Sequence, residues 1–407
     1  MRVALVHDYL KEYGGAERVL QALSELFPEA PIYTAFYVAD SPAGEAFAKK
    51  QIITSGLNKI LQWKNLYSPL RFLTPLIWES FNFKGYDLVI SSASWYITKS
   101  IITHPPTVHI CYCHTPPRWL YGYQTAVEWK RFLPIRIYGQ ILAHFLRQYD
   151  YLAAQRVDYF IANSQNTKER IKKFYRRNAE VIYPPVYLAT KKETSPSFLR
   201  PAPSASGFSG QRDNMEGKQQ IGIMGALEKG NASFLSNSQP PIPNYYLVVS
   251  RLESPKNIDL AIKACNKLKE NLWVVGTGGQ EEYLKSIAGP TIKFLGGVND
   301  SKLSNIYKNC KALICTATDE DFGITPVEAM SFGKPVIAFR GGGYLETVAD
   351  GKTGIFFDES TVESLTEKLK NFKTEKFNPV DCRKQADKFS KENFKRKISK
   401  LINKQIK

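Results

Sequence analysis

The stretch Thr318-Asp-Glu-Asp-Phe-Gly-Ile-Thr-Pro-Val-Glu-Ala-Met-Ser-Phe-Gly-Lys-Pro-Val-Ile-Ala-Phe-Arg-Gly-Gly-Gly343 decides the fold. The apolar run Ala312-Leu-Ile-Cys315 just before it reads as a buried strand, and Val336-Ile-Ala-Phe339 inside it as the next. Between them stand three acids, a Phe322-Gly323 pair and the start of a helix. Thr325-Pro-Val-Glu328 has the form of a helix N-terminus, with Thr as cap, Pro first and Glu third. Open α/β sheets place ligands at the carboxyl ends of parallel strands, so Glu320 and Glu328 are expected to hang over a crevice. The plainer reading makes Glu328 a helix cap and Glu320 part of a solvated acidic loop. Three acids beside a buried turn are unusual in so basic a chain.

Working outward, the same alternation fills the rest of the chain. Strands are predicted at Val3–Val6, Asp87–Ile90, Val108–Cys113, Tyr159–Ala162 and Glu180–Tyr183, and again at Tyr246–Ser250, Leu272–Val275, Ile292–Leu295, Ala312–Cys315, Val336–Phe339 and Gly354–Phe357. Continuous rather than alternating apolar strands mean burial on both faces, hence parallel sheets clothed by helices. Ala16, Val19, Leu20, Leu23 and Phe27 mark the inner face of the first helix, and Asn166 with Glu169 suggests a capping box for a later one. Residues 191–243, rich in Pro, Ser, Gly and Asn, interrupt the pattern and read as a flexible insertion. The division expected is 1–190, the insertion 191–243, a second domain 244–385, and a basic helix within 386–407 that packs back towards the first domain.

Composition limits the function classes. The 407 residues suffice for two cores, and 55 Lys+Arg against 38 Asp+Glu give a net charge of +17. Such an excess favours a polyanionic neighbour: nucleic acid, anionic membrane or phosphorylated ligand. Six cysteines are too few for a disulfide scaffold, and Cys111, Cys265, Cys310 and Cys315 lie in apolar patterns as small buried hydrophobes. No secretory leader precedes the first strand and no apolar run is long enough to span a bilayer, so a reduced, cytoplasmic protein is expected.

Several smaller features could carry chemistry. Gly14 and Gly15 follow the first strand and open the first helix, where backbone amides can approach a phosphate; a tight turn explains them equally well. Arg251 and Lys256 follow the first strand of the second domain, a suitable place for cations facing a diphosphate. Gly341, Gly342 and Gly343 add amide donors at another strand end, and His114 closes the strand 108–113.

Taken in order, the Gly pair, the strand-end His, the Arg…Lys pair and Glu-x7-Glu with Phe-Gly inside it resemble the family 4 retaining glycosyltransferases of GT-B fold. The resemblance covers nearly the whole chain except 191–243. His7-Asp-Tyr9, Gly14-Gly-Ala-Glu-Arg18, Cys111-Tyr-Cys-His-Thr-Pro116, Ile182-Tyr-Pro-Pro185 and Glu320-Asp-Phe-Gly-Ile-Thr-Pro-Val-Glu328 look like its bacterial O-antigen mannosyltransferase branch. The resemblance implies two Rossmann-like domains facing a central cleft. It implies Arg251 and Lys256 on the donor diphosphate with Gly14 and Gly15 helping, and Phe322, Gly323 and Glu328 in the donor site with Glu328 on the ribose. Glu320 would hold the transferred sugar, His114 would contact it from the opposite domain, and Asp8 would line the acceptor side. No cofactor or metal is expected, and the donor expected is GDP-mannose. The sequence Pro117-Arg118-Trp119 departs from the branch, which has Met followed by Arg-Tyr.

Residues 57–83 and 118–156 are aromatic and basic. Ile135, Tyr138, Leu142, Phe145 and Tyr149 are expected on one helical face, Arg136, Gln140, His144 and Arg147 on another, which suits the surface of an anionic membrane; an ordinary core-facing helix is the competing reading. The acceptor expected is a glycan or lipid-linked oligosaccharide. A UDP-sugar donor is the alternative within the class. A nucleic-acid partner lacks any aromatic RNA-binding motif, and a dinucleotide oxidoreductase lacks Gly-x-Gly-x-x-Gly.

Overall fold

The computed structural model describes residues 1–125, 132–187 and 245–406. The insertion expected at 191–243 lies outside the described residues. The first domain is a seven-stranded parallel sheet: β1 (Val3–His7), β2 (Ile32–Thr34), β3 (Ile52–Thr54), β4 (Leu88–Ala93), β5 (Val108–Cys113), β6 (Tyr159–Ala162) and β7 (Ala179–Val181), in the order β3-β2-β1-β4-β5-β6-β7. The second is a six-stranded parallel sheet of β8 (Tyr246–Val249), β9 (Leu272–Val275), β10 (Ile292–Gly296), β11 (Leu313–Cys315), β12 (Val336–Phe339) and β13 (Gly354–Phe357), ordered β10-β9-β8-β11-β12-β13.

Strand periodicity builds the cores. In β1, Val3 and Leu5 face Val19, Leu20 and Leu23 of the helix Gly15–Leu26, while Ala4 and Val6 face Trp78 and Tyr96 on the other side. In β8, Leu247 and Val249 join one core, Tyr246 and Val248 the other. The central strands are covered on both faces, which is why β8, β9, β11 and β12 are continuous apolar runs. The three-residue strands β2 and β3, absent from the sequence reading, are too short to show a period.

Each sheet reverses its winding at one point, β1/β4 in the first and β8/β11 in the second. Gly14, Gly15, Asp8 and His114 follow the strands of the first; Arg251, Lys256 and Glu320 follow those of the second.

The C-terminal basic segment is two helices, Pro379–Asp387 and Lys391–Gln405, rather than one from 386. Ser390 caps the second, accepting from Asn393 N at 3.4 Å. Phe394, Ile398, Leu401 and Ile402 recur at i, i+4, i+7 and i+8 and enter the first domain's core. Lys391 and Lys395 flank Glu25 at 3.1 and 2.6 Å. Burial pushes the Glu25 carboxyl up, but the two ammoniums outweigh it and hold it below its usual value. Backbone bonding from Val186 N to Phe389 O, 2.9 Å, adds a second tie between the domains.

Candidate active site in the interdomain cleft

On the first domain's wall, β1 ends in His7 and Asp8. Asp8 is buried, and its carboxylate accepts from the backbone N–H of Trp95 at 2.9 Å, Tyr96 at 3.3 Å and Ser94 at 3.4 Å, and from the Thr98 hydroxyl. Burial raises its pKa to about 6 against the opposing pull of His7 and these amides. The carboxylate therefore shapes the 94–98 loop that forms part of the cleft wall.

Gly14 caps the helix Gly15–Leu26, and its amide is taken by Glu17 Oε2 at 2.7 Å. Gly15 faces across the cleft: a Cβ there would lie 2.8 Å from Ile324 Cδ1 of the second domain. The other oxygen of Glu17 lies 3.2 Å from His7 Nε2; His7 Nδ1 lies 3.1 Å from Ser92 Oγ, and Ser92 Oγ lies 2.8 Å from His114 Nε2. A buried polar chain thus runs from the helix start to His114. Burial, helped by His7, depresses the His114 pKa to about 3, so its imidazole is neutral at ordinary pH. It offers a hydrogen bond rather than a charge.

On the second domain's wall, Lys256 closes a short 3-10 turn after β8, and its Nζ donates to Glu320 Oε2 at 2.7 Å. Arg251 lies exposed just after the same strand. The helix carrying Glu328 begins at Ile324 and not at Pro326; its cap is Gly323, at φ +87°. Thr325 is therefore not the cap, and Glu328 sits in the second turn. The reason is local: a side chain at 323 would meet the Tyr344 ring at 2.9 Å, so glycine permits both the left-handed turn and the close approach. Freed from capping, Glu328 accepts from Arg18 at 2.6 Å through one oxygen and from the Tyr307 hydroxyl at 2.9 Å through the other. Burial alone would lower the Arg18 pKa; Glu328 outweighs it and raises it. Phe322 is buried against Tyr183 and Phe389. Gly342, at φ +54°, lets its loop press on Glu320, whose carbonyl accepts from Gly343 N at 2.8 Å.

Each of the two glutamates thus already faces a cation, Lys256 for Glu320 and Arg18 for Glu328. Sequence reasoning assigned both acids but missed Arg18, although it ends the quoted glycine motif. It also missed a clamp across the cleft. Arg118 donates to Asp321 at 2.8 Å and to the Asp319 carbonyl at 2.6 Å, while Arg170 donates to Asp321 at 2.6 Å, to Thr115 at 3.0 Å and to Asp319. Burial pushes the Asp321 carboxyl up, but the two guanidiniums hold it below its usual range. The acids flanking Glu320 are therefore interdomain ligands and not a solvated loop.

Beside the clamp, the helix Gln165–Tyr175 is capped by Ser164 instead of Asn166, because Ser164 Oγ accepts from Thr167 N at 3.0 Å. Its free amides at Gln165 and Asn166 reach the Glu346 carboxylate across the cleft at 2.8 and 3.2 Å. The Asn166 side chain donates to the Glu320 carbonyl at 3.1 Å. Arg170 and Asn166 share a face of this helix one turn apart, a spacing visible in the sequence only once their target is known.

Comparison with known proteins agrees with the two-domain fold. Residues 13–190 match the family model described as Glycosyltransferase Family 4, and residues 233–403 match that described as Glycosyl transferases group 1. Each half of the chain thus matches a glycosyltransferase domain, and the fold is that of the GT-B glycosyltransferases. It is 29% identical over 195 residues to the alpha-1,3/1,6-mannosyltransferase ALG2 of Dictyostelium discoideum, covering 39% of this chain and 46% of that protein. The ALG2 of Candida glabrata is 27% identical over 280 residues, 58% of this chain and 52% of that one. The chain thus spans about half the length of these curated relatives. Among solved structures, Anabaena Alr3699/HepE in complex with UDP superposes with a TM-score of 0.64 at 15% identity, covering 99% of this chain and 100% of that one. The lipopolysaccharide outer core galactosyltransferase WaaB in its apo form gives 0.61 at 15% identity, over the whole of both chains.

Proposed function

We propose that this protein is a retaining glycosyltransferase that moves a hexose from a nucleotide sugar to a glycan or lipid-linked oligosaccharide acceptor. The reading is specified further as mannose from GDP-mannose, building a surface polysaccharide from the cytoplasmic side of a membrane. The observation that carries it is the Lys256–Glu320 pair at the β8/β11 reversal, on a loop whose Asp321 is held by Arg118 and Arg170 of the first domain. Support for mannose comes from the two mannosyltransferase relatives.

Transfer from a nucleoside diphosphate needs a stabilised anionic leaving group and an oxocarbenium-like sugar carbon. In this reading Arg251 and Lys256 take the diphosphate, so the work of a metal ion falls to protein cations. Binding exchanges the partner of Lys256 from Glu320 to phosphate and releases Glu320 to the sugar. Glu328 keeps Arg18 and Tyr307, and each carboxylate oxygen retains a second acceptor site for a ribose hydroxyl. Neutral His114 meets the sugar from the other domain. The bond from the anomeric carbon to the diphosphate breaks, the acceptor oxygen bonds to that carbon on the same face, and its proton passes to the departing phosphate, so the configuration is retained without a covalent intermediate on the enzyme.

A second reading, transfer from a UDP-sugar, is favoured by the solved relatives holding UDP and UDP-glucose. Thermal shift and turnover across GDP-mannose, UDP-glucose and related donors separates the two. Stabilisation by GDP-mannose alone supports the first, and by UDP-sugars alone the second. Response to none of them refutes both.

A further inference from the structure

The helix Leu133–Gln155 is amphipathic in an unexpected sense. Its core-facing stripe is Ala143, Leu146, Asp150, Ala153 and Ala154, with Asp150 neutralised by buried Lys99. Small residues let the helix lie close on the domain and turn its large apolar side chains outward. Ile137, Ile141 and Phe145, spaced four apart, are all exposed, Phe145 by 63%. The competing expectation of a core-facing helix holds for one side of it, where Ala143, Leu146 and Ala153 join a core cluster. The face Ile135–Tyr149 is split: Ile135, Tyr138 and Phe145 point out, while Leu142 and Tyr149 are partly buried.

A second segment continues this surface. The Tyr138 hydroxyl donates to the Pro69 carbonyl at 2.5 Å, and the 63–76 segment presents Trp63, 63% exposed, and Leu76, 67% exposed. Exposed apolar side chains gathered on two neighbouring segments mark an interaction site more strongly than scattered ones. Charge selects its partner. Between Gly56 and Trp78, and between Phe132 and Tyr149, the chain has no Asp or Glu but carries Lys59, Arg71, Arg136 and Arg147.

Arg71 joins this surface to the cleft. It lies over the rings of Trp95 and Trp119 at 4.6 and 4.8 Å, beside the loop held by Asp8 and the clamp residue Arg118. Its Nε is buried without a hydrogen-bond partner among the described residues.

We infer that this face of the first domain seats on an anionic phospholipid bilayer. The outward side chains of Leu133–Gln155 and the 63–76 segment enter the interface, Lys59 and Arg136 meet headgroup phosphates, and Arg71 marks the edge from which a lipid-borne acceptor reaches the cleft. Apolar insertion and several surface cations are the two signals that stable peripheral binding requires. Of the described helices, none is long and apolar enough to cross a membrane, so the attachment is to one leaflet. The inference deepens the proposed function by naming the surface that meets the acceptor, yet its test needs no sugar.

The experiment is flotation of the full chain with phosphatidylcholine vesicles, with and without phosphatidylglycerol, at low and high salt. The doubly substituted variant Ile141→Ser/Phe145→Ser and the charge variant Lys59→Glu/Arg136→Glu run beside it. The full chain is expected to float with anionic vesicles only, and each variant to lose about tenfold in partitioning with an unchanged unfolding midpoint. Absence of flotation at low salt, or equal flotation by the variants, overturns the inference. So does light scattering that shows a dimer dissociated by Ile141→Ser/Phe145→Ser, since a second copy then covers the face. None of these outcomes bears on nucleotide-sugar turnover, which is measured separately with a soluble acceptor.

Discussion

Arg170→Met tests whether the clamp holds the cleft together. The guanidinium is buried, with 5% of its side chain exposed, and contacts both acids that flank Glu320. Removing one partner from a buried ion pair costs about 3–5 kcal/mol. Here Asp319 and Asp321 keep 35% and 24% of their side chains exposed, and Arg118 still faces both. The expected loss is therefore smaller, about 2 kcal/mol. Asp321→Asn alone should cost a similar amount, and the double variant less than the sum by about 1–2 kcal/mol, since both remove the same interaction. Urea denaturation of the four proteins gives this coupling energy. The clamp also orients the Glu320 loop, so kcat/KM for transfer should fall by about 10–30-fold in either single variant, which corresponds to about 1.4–2 kcal/mol of transition-state stabilisation. Additive stability losses with unchanged kcat/KM refute the reasoning, because the two domains are then not coupled through this contact.

Arg18→Met leaves Glu328, among the described residues, with the Tyr307 hydroxyl, and donor KM should rise with a smaller change in kcat, read by steady-state kinetics. Gly342→Ala places a Cβ 2.4 Å from the Glu320 carbonyl at φ +54°; a loss of roughly 2 kcal/mol in thermal unfolding is expected, with weakened activity. His109 is fully buried with its pKa depressed to about 3. Because the folded-state value lies below the unfolded one, its stability contribution is complete above about pH 6.5 and is lost as pH falls towards 3. Replacing it by Gln should therefore remove roughly 2 kcal/mol of the stability change between pH 7 and pH 5, measured by denaturation at both. Since Arg251 and Lys256 carry the leaving-group charge in this account, EDTA should leave transfer unchanged; a metal-restored loss would contradict that assignment.

The sheets were legible because their strands are continuous apolar runs; β5, β6, β9, β12 and β13 coincide with the sequence reading. β2 and β3 were not, at three residues each. Helix starts were misplaced wherever a tertiary contact chose the cap. Gly323 displaced Thr325 because Tyr344 presses on it, and Ser164 displaced Asn166, whose side chain turns to Glu320 instead. The acids and basic loop of the second domain could be read from local pattern, since they follow strands directly. Their partners could not. Arg18, Arg118 and Arg170 lie between 149 and 310 residues from the acids they meet, and no periodicity reports a contact at that separation. The outward face of Leu133–Gln155 was obscured for a related reason. Its alanines, weak signals in any hydrophobic pattern, take the inner side.

Glu320 is central to the proposed function, in which it exchanges Lys256 for the reacting sugar. The most direct measurement is release of nucleoside diphosphate and transferred hexose from a panel of nucleotide sugars, comparing the protein with Glu320→Ala. The account predicts acceptor-dependent turnover with one class of donor, abolished by Glu320→Ala while the fold is retained. Undiminished transfer by Glu320→Ala, or no binding and no turnover with any nucleotide sugar, would contradict it.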